Sequence, residues 1–254
     1  MSKQLNEISR AWSERHKSKE HYVRFQFLAA EEEISSYDKF VTFKGKKVLD
    51  VGCGLGGKTV RYAQCAGCVV AVDCNLDDLL FAGKFSRSSG APVHFTRADI
   101  HSLPFKDNFF DIVILNDIIE HVCDPLRALR ECKRVLVPGG ILFMNFPPFY
   151  GPQGGHVGYY FSVPWVHLLP RRVVKWLLLR KEPKEGWFTP QSISDDFNST
   201  NRMAIRRCKR YIARTGWKVK YCDIRPCNHR IKSIITWPLI NELLAENIHF
   251  VLEK

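Results

Sequence analysis

The residues best suited to chemistry lie in one short run, Lys47-Val-Leu-Asp-Val-Gly-Cys-Gly-Leu-Gly-Gly57. Glycines at positions 52, 54, 56 and 57 permit a tight turn and let a ligand lie against the backbone. Asp50 stands two residues before the first glycine, where its carboxylate would repel a pyrophosphate and attract a cation. This run therefore predicts a site for a ligand that carries an ammonium and a sulfonium.

The elements that would position this site are a strand before the glycines and a helix after them. Residues 48–51 are nearly all apolar, which predicts a parallel strand covered on both faces. Residues 58–66 predict a helix that ends at Gly67. A strand, a glycine turn and a helix open a doubly wound sheet. The spacing Gly52-x-Gly54-x-x-Gly57 also fits the dinucleotide fingerprint, so the glycines alone do not choose the cofactor.

A second acid follows a second apolar run. Residues 68–73 predict a buried strand that ends at Asp73, about 20 residues after the glycines, where a carboxylate can accept both ribose hydroxyls. Asn75 is then predicted to cap a helix, in which Leu76, Leu79 and Leu80 have the spacing of one apolar face.

The rest of the chain continues the same alternation. Strands are predicted at residues 93–97, 111–115, 141–145, 217–221 and 248–252. Asp124-Pro125 should begin a helix with Leu126, Leu129 and Leu136 on its buried face, and Pro138-Gly-Gly140 should end it. A basic helix should begin at Thr200 or Asn201, and a short one should span 238–245. These elements predict an α/β fold: a Rossmann-like, doubly wound, seven-stranded sheet, mostly parallel with an antiparallel last strand.

The string Asp50-Val-Gly-Cys-Gly-x-Gly56 closely resembles the first motif of the class I S-adenosylmethionine-dependent methyltransferases. The turn Leu136-x-Pro-Gly-Gly140 is a further point of resemblance to this family. The resemblance as a whole covers residues 44–146 strongly and 200–254 weakly. It implies S-adenosylmethionine as cofactor, with the adenine amino group bonded to Asp99 and its ring packed on Ile100. The cofactor-binding residues that it implies are Asp50, Gly52, Cys53, Gly54, Gly56, Asp73, Cys74, Asp99, Ile100 and Asn116.

The resemblance also divides the chain. Residues 1–43 form an N-terminal helical segment, of the kind that often packs over the cofactor in this family, and 44–254 form the methyltransferase domain. Residues 147–199 are too long for an ordinary connection, and they follow the fifth strand, where the family commonly has a substrate insertion. Because this insertion is aromatic and apolar, we expect a small-molecule acceptor resembling a lipid, a quinone or a glycan intermediate.

Methyl transfer from a sulfonium is an in-line displacement that needs the nucleophile within about 3–3.5 Å of the methyl carbon. A base is needed if the nucleophile is a hydroxyl or an acidic carbon. The candidates are His156, Tyr159, His167 and Asp117, each of which could instead be a structural polar residue. His156 comes first because an unperturbed imidazole pKa near 6.5 suits a base at neutral pH. For His121 a structural hydrogen bond is expected.

The net charge limits the kinds of partner that we expect. The net charge of +12 favours nucleic acid, an anionic membrane or an anionic small molecule, and the helix near 200–214 is either a docking face or a solvated one. Asn145-Phe-Pro-Pro-Phe149 is similar to a motif of amino-nucleobase methyltransferases, but it follows the fifth strand instead of the fourth, which disfavours nucleic acid. Peripheral membrane contact stays open, although no apolar run reaches spanning length.

Nine scattered cysteines predict reduced thiols in a cytoplasmic protein, and no metal site is expected. The polar start of the chain shows no signal peptide. Two alternatives remain. One is an NAD(P)-dependent oxidoreductase, which the glycines and Asp73 would also fit. The other is a non-catalytic partner subunit that binds S-adenosylmethionine.

Overall fold

The computed structural model describes residues 2–152, 154–184, 186–228 and 237–254. Its strands are β1 (Lys47–Val51), β2 (Cys68–Asp73), β3 (His94–Arg97), β4 (Phe110–Asn116), β5 (Leu136–Phe146), β6 (Lys218–Pro226) and β7 (Ala245–Glu253). All seven form one sheet in the order β3-β2-β1-β4-β5-β7-β6.

The first five strands run parallel, and β7 pairs antiparallel with both β5 and β6. In the register, Leu49 lies opposite Val70 on one side and Val113 on the other. The strand order reverses between β1 and β4, and such a switch point leaves a crevice at the carboxyl ends of the strands. The predicted fold class is confirmed.

The helices lie on both faces of this sheet and in the insertion. They are α1 (Ser2–Glu14), α2 (Lys19–Tyr37), α3 (Gly57–Ala63), α4 (Leu76–Ser88), α5 (Pro125–Val135), α6 (Arg171–Leu179), α7 (Pro190–Ser199), α8 (Ile205–Arg214) and α9 (Pro238–Leu244). Short 3-10 segments span Gly154–Tyr159 and Val166–Leu168. Across the described ranges, no helix is both long enough and apolar enough to cross a bilayer.

The buried side chains form separate cores. One core packs α5 and α8 against the sheet through residues such as Leu129, Cys132 and Ile212, and another packs α2 against the opposite face through Ala30 and Ile34. The insertion has a cluster of its own, made of Phe149, Val157, Tyr160, Val174, Leu178, Ile193 and Phe197. It is therefore a packed unit and not an open loop.

Two helices differ from the sequence predictions at their ends. The helix predicted at 58–66 is observed as α3, which begins at Gly57 and ends at Ala63. The predicted basic helix begins at Ile205, not at Thr200 or Asn201. The Asn201 side chain donates to the carbonyls of Ile119 and Val122, at 2.8 and 2.7 Å, and Arg202 has a φ of 56°. These contacts hold the chain out of the helix.

Two predicted apolar faces are also shifted. On α4, Leu79 is buried, but Leu76 and Leu80 are 50% and 57% exposed because Ala82 and Ser86 complete the inner face. On α5, Ala128, Leu129, Cys132 and Val135 are buried, whereas Leu126 is half-buried. Leu136 is buried as predicted but belongs to β5.

Candidate functional site

A cavity of about 1110 Å³ opens at the carboxyl ends of β1 and β4. Four parts of the chain supply most of its walls: the glycine turn, the end of β4, the N-terminal helices, and the insertion. Asp78 of α4 and Glu246 and Asn247 of β7 complete the lining. The residues of the first two parts are Asp50, Gly52, Cys53, Gly54, Leu55, Lys58, Asn116, Asp117 and Ile118. Those of the N-terminal helices and the insertion include Trp12, Arg15, His16, Tyr22, Phe25, Glu33, His156, Gly158, Tyr159, Lys184 and Trp187.

The glycine turn leaves space on the side that faces the cavity. Gly54 has a φ of +50°, and a Cβ built on it would meet nothing within 4 Å. At Gly52, where φ is +75°, a Cβ would come within 2.2 Å of Ile118 Cδ1. Gly52 therefore permits a close approach within the protein, whereas Gly54 leaves open space beside the backbone.

Asp73 lies directly against this turn. Its Oδ2 accepts a hydrogen bond from the Gly54 N–H at 2.8 Å, and its Oδ1 accepts one from the Asn75 N–H at 2.9 Å. The Ala98 N–H donates to the Asp73 carbonyl at 3.1 Å, so the Asp99 segment runs beside the end of β2.

Asp50 is a buried carboxylate at the end of β1. The Thr59 hydroxyl donates to its Oδ2 at 2.5 Å. Burial raises the pKa of Asp50 to about 6, although Thr59 and the Lys58 ammonium both favour its charged form.

A fixed polar network continues from Asp50 toward β4. Lys58 Nζ lies 2.6 Å from Glu33 Oε1, and the Tyr62 hydroxyl donates to Glu33 Oε2 at 2.7 Å. The Asn116 amide donates to Glu33 Oε2 and to the Tyr62 oxygen, both at 3.1 Å. The Asn116 carbonyl oxygen accepts from Tyr37 and Asn145. The end of β4 is thereby joined to α2 and α3.

Asp117 projects into the cavity from the residue after β4. Its φ of 55° is unusual for a residue other than glycine, and its N–H donates to the Asn145 carbonyl at 3.1 Å. The side chain is exposed, but the surface it exposes lines the cavity. Enclosure by the protein and the charge of Glu33 raise the pKa of Asp117, against the effects of Lys58 and His156.

His156 forms ion pairs with carboxylates on either side. Its Nδ1 lies 2.9 Å from Asp196 Oδ2, and its Nε2 lies 3.6 Å from Glu120 Oε1. Burial lowers its pKa, but Asp196 and Glu120 outweigh that effect and raise the pKa to about 10. His156 is therefore an imidazolium at neutral pH. The unperturbed pKa on which the base role rested does not hold in this fold.

The other base candidates differ in position. Tyr159 lines the cavity, and burial raises its pKa, so the phenol is neutral at neutral pH. His167 is buried away from the cavity lining, with its Nε2 2.7 Å from the Phe149 carbonyl oxygen. His121 lies outside the lining as well, and its Nδ1 is 2.9 Å from the Ser199 hydroxyl.

In the part of the chain that the structure describes, the ligand atoms of Glu120, His121 and His156 lie within 4.8 Å of one another. Two imidazoles and a carboxylate are a set that divalent transition ions accept. Here, however, His156 Nδ1 lies 2.9 Å from Asp196 Oδ2, and its Nε2 lies 3.6 Å from Glu120 Oε1. The geometry therefore describes an ion-pair network that joins the insertion to the segment after β4.

Several predicted cofactor residues lie beside the cavity and not in its lining: Gly56, Asp73, Cys74, Asp99 and Ile100. Asp99 is exposed, and its Oδ1 accepts the His101 N–H at 2.9 Å and lies 2.6 Å from His101 Nδ1. The Cys74 carbonyl accepts a hydrogen bond from Arg97 Nε at 3.0 Å. These residues occupy the open carboxyl ends of β2 and β3, next to Asp73.

The sequence analysis expected the N-terminal segment and the insertion near the site, but it did not identify most of the residues with which they line the cavity. Only Lys58 carries a signal, because it directly follows the glycine run. Glu33 comes from α2, and Trp12, Arg15 and His16 come from α1 and the turn after it. The Trp187 N–H donates to the His16 carbonyl at 3.1 Å, so this turn contacts the insertion across the cavity. Nothing in the sequence spacing indicates that residues so far apart meet.

A family model described as a methyltransferase domain matches residues 49–144. Among curated proteins, the ubiquinone biosynthesis O-methyltransferase of Haemophilus ducreyi is 34% identical over 106 residues, which are 40% of this chain and 45% of that protein. The ubiquinone/menaquinone biosynthesis C-methyltransferase of Vibrio vulnificus is 34% identical over 134 residues, half of each chain. The chain thus spans about half the length of the curated relatives it matches.

Solved structures share the fold. A S-adenosylmethionine-dependent methyltransferase from Methanosarcina mazei aligns with a TM-score of 0.57 at 17% identity, over 86% of this chain and 96% of the other. The [4+2]-cyclase SpnF aligns with a TM-score of 0.59 at 18% identity, over 89% and 81%. Because the fold also occurs in a cyclase, it does not by itself establish methyl transfer. Residues 49–144 therefore match a methyltransferase domain, and the chain shares its fold with S-adenosylmethionine-dependent methyltransferases of known structure.

Proposed function

We propose that this protein transfers the methyl group of S-adenosylmethionine to a small-molecule acceptor by in-line displacement. The observation that carries the proposal is the single cavity that joins the glycine turn to the aromatic residues of the N-terminal helices and the insertion. A cofactor beside Gly54 would direct its methyl group into this space. An acceptor between the N-terminal helices and the insertion would meet it there.

The roles of the cofactor residues are part of the proposal. Asp73 accepts the ribose hydroxyls, the turn of Gly52, Cys53, Gly54 and Gly56 lies under the cofactor, and Cys74 flanks the ribose. Asp99 and Ile100 hold the adenine on the open side of β2 and β3, while Asp50 and Asn116 lie near the methionine portion. The closeness of Asp73 to the Gly54 N–H, at 2.8 Å, supports this arrangement.

The acceptor that the far end of the cavity favours is a flat, apolar ring system. Trp12 packs edge-on against Phe25 with ring centroids 5.1 Å apart, and Tyr22 packs against Trp187 at 5.4 Å. Arg15 and Lys184 stand among these rings and suit an acceptor that carries negative charge. The relatives named for quinone biosynthesis agree with a ring of this kind.

Asp117 is the proposed base, if the acceptor must lose a proton. Of the three candidates that line the cavity, His156 is protonated and Tyr159 is a neutral phenol, whereas Asp117 is a carboxylate with a raised pKa. In this proposal His156 supplies fixed positive charge, and Tyr159 contributes a wall of the acceptor site.

The experiment that tests the function is incubation of the protein with cell extract and methyl-labelled S-adenosylmethionine, followed by mass spectrometry. A small molecule that gains one labelled methyl group identifies the acceptor and the atom methylated. Binding of S-adenosylmethionine without any labelled product would support a non-catalytic partner subunit. Fluorescence quenching by a nicotinamide cofactor, and none by S-adenosylmethionine, would support the oxidoreductase.

Peripheral contact with an anionic membrane belongs to the same proposal, and α6 is the surface that favours it. Val173, Trp176 and Leu179 are exposed along this helix by 40%, 52% and 47%. Arg172, Lys175 and Arg180 are exposed among them, and the Arg180 guanidinium lies 4.1 Å from the Trp176 ring centroid. Exposed apolar residues interleaved with cations are typical of a helix that lies in a membrane interface. On α8 the exposed residues are mainly cations, which fits a solvated face.

A further inference from the structure

An ion pair stands in the cavity wall next to the glycine turn. Lys58 Nζ lies 2.6 Å from Glu33 Oε1, and each side chain keeps 20% of its surface accessible. Both residues line the cavity. Because Lys58 directly follows Gly57, the first turn of α3 presents its ammonium beside Asp50 and the end of β4.

The carboxylate of this pair is fixed in place. Glu33 Oε2 accepts hydrogen bonds from the Tyr62 hydroxyl at 2.7 Å and from the Asn116 amide at 3.1 Å. Tyr37 and Asn145 in turn hold the Asn116 carbonyl oxygen. Glu33 therefore needs no rearrangement to present its Oε1 edge, and such preorganisation lowers the cost of binding a ligand.

This end of the cavity carries an excess of negative charge. Burial lowers the pKa of Lys58, but Glu33 and Asp117 outweigh that effect and leave the pKa raised, so the ammonium stays charged. Three carboxylates stand around the Lys58 ammonium, those of Glu33, Asp50 and Asp117. His156 also acts on Asp117, but its charge is already paired with Asp196 and Glu120. A ligand with one carboxylate and two positive charges would reduce the imbalance, and S-adenosylmethionine has that set of charges.

We propose that Lys58 and Glu33 bind the amino-acid end of the cofactor. The Lys58 ammonium takes the cofactor's α-carboxylate, and Glu33 takes its α-ammonium, so that charges alternate around the four groups. The inference rests on the proposed function, because it assumes that the cofactor occupies this cavity. It adds a subsite that selects an α-amino-acid group.

A neighbouring ion pair offers a matched control. Arg61 and Glu31 form a second pair between α3 and α2, with Arg61 Nε 2.8 Å from Glu31 Oε2. Neither residue lines the cavity. If Lys58 and Glu33 only joined the two helices, breaking either pair would have the same effect on ligand binding.

The test is titration calorimetry with two thioethers, S-adenosylhomocysteine and 5′-methylthioadenosine, which share adenosine and sulfur but differ in the amino-acid group. We expect the wild-type protein to bind S-adenosylhomocysteine more tightly. Lys58→Met and Glu33→Gln should each weaken its binding by about tenfold to a hundredfold, the loss typical of a charged hydrogen bond. The affinity of these two variants for 5′-methylthioadenosine should stay within about twofold of the wild-type value. Arg61→Met should change the affinity for neither ligand.

Equal binding of both thioethers by the wild-type protein would overturn the subsite, and this comparison needs no variant to fold. Equal weakening of both thioethers by Lys58→Met would also overturn it, because that pattern indicates a structural role. Failure of the wild-type protein to bind S-adenosylmethionine is a different result, which would refute the proposed function itself.

Discussion

At the scale of single residues, two glycines with positive φ differ in their surroundings. Gly54 and Gly45 both have positive φ, +50° and +75°, and neither would place a Cβ within 4 Å of the protein. Only Gly54 lines the cavity. The two positions therefore form a matched pair with similar backbone strain and different surroundings.

We expect Gly54→Ala and Gly45→Ala to lose similar stability, about 1–2 kcal/mol each, because alanine is strained at positive φ. Only Gly54→Ala should weaken the binding of S-adenosylmethionine, by roughly tenfold or more, since its Cβ would occupy space next to the ligand. Thermal unfolding and calorimetry measure the two effects. Wild-type affinity in Gly54→Ala would show that the cofactor does not approach this turn.

Asp73 carries the second prediction at this scale. Asp73→Ala should weaken the binding of S-adenosylmethionine by at least tenfold. The reason is that two charge-assisted hydrogen bonds to the ribose contribute about 2–4 kcal/mol after allowing for water. The loss of its bond to the Gly54 N–H adds to this effect. Asp77→Ala, at an exposed carboxylate on α4, is the calorimetric control and should bind normally. Unchanged affinity in Asp73→Ala would remove Asp73 from the site.

At the scale of elements, the apolar pattern predicted the strands well, because the pattern that marks each strand lies within the strand itself. Residues 68–73 were predicted as a strand, and β2 has those bounds. Helix ends that depend on distant partners could not be predicted. The first N–H groups of α8, those of Ile205 and Arg206, donate to the buried Glu242 at 2.9 and 2.7 Å. No local capping residue marks this start.

The same distinction holds for the site. The glycine turn and Asp73 are close in sequence and follow a known spacing, so their closeness in the fold was predictable. Glu33 and Trp187 reach the cavity from α2 and the insertion, and only tertiary packing brings them together. The protonated state of His156 also depends on Asp196 and Glu120, which lie 40 and 36 residues away in sequence.

Helix α6 carries the prediction that belongs to this scale. Replacing both Trp176 and Leu179 by serine should weaken sedimentation with phosphatidylglycerol vesicles by about tenfold or more, because each buried apolar side chain contributes roughly 1.5–3 kcal/mol. Added salt should also weaken the binding of the wild-type protein to these vesicles. The control replaces Leu76 and Leu80, the exposed leucines of α4, and should sediment like the wild-type protein. Equal sedimentation of all three proteins would exclude α6 as the contact.

At the scale of the whole molecule, the ion pairs of His156 join the insertion to the segment that follows β4. His156 and Asp196 both belong to the insertion, with Asp196 on α7, and Glu120 belongs to the segment that follows β4. His121 and Asp117 are the other titratable groups that act on this network. The insertion is thus attached to the sheet partly by one proton.

The stability of the protein should therefore fall as the pH rises toward 10. The pKa of His156 is about 10 in the folded protein, above the ordinary value of 6.5, so its contribution is complete below pH 6.5 and is lost as the pH passes 10. Between pH 7 and pH 9.5, the free energy of unfolding should decrease by up to about 3 kcal/mol, given about 1.4 kcal/mol per pH unit. The variant His156→Asn should lack this decrease in urea unfolding. Asparagine is chosen because it tolerates the positive φ observed at this position. His94→Asn, at an exposed histidine on β3, should keep the wild-type pH profile. Parallel pH profiles for the wild-type protein and His156→Asn would mean that the imidazole is not charged in the folded state, and would restore it as a candidate base.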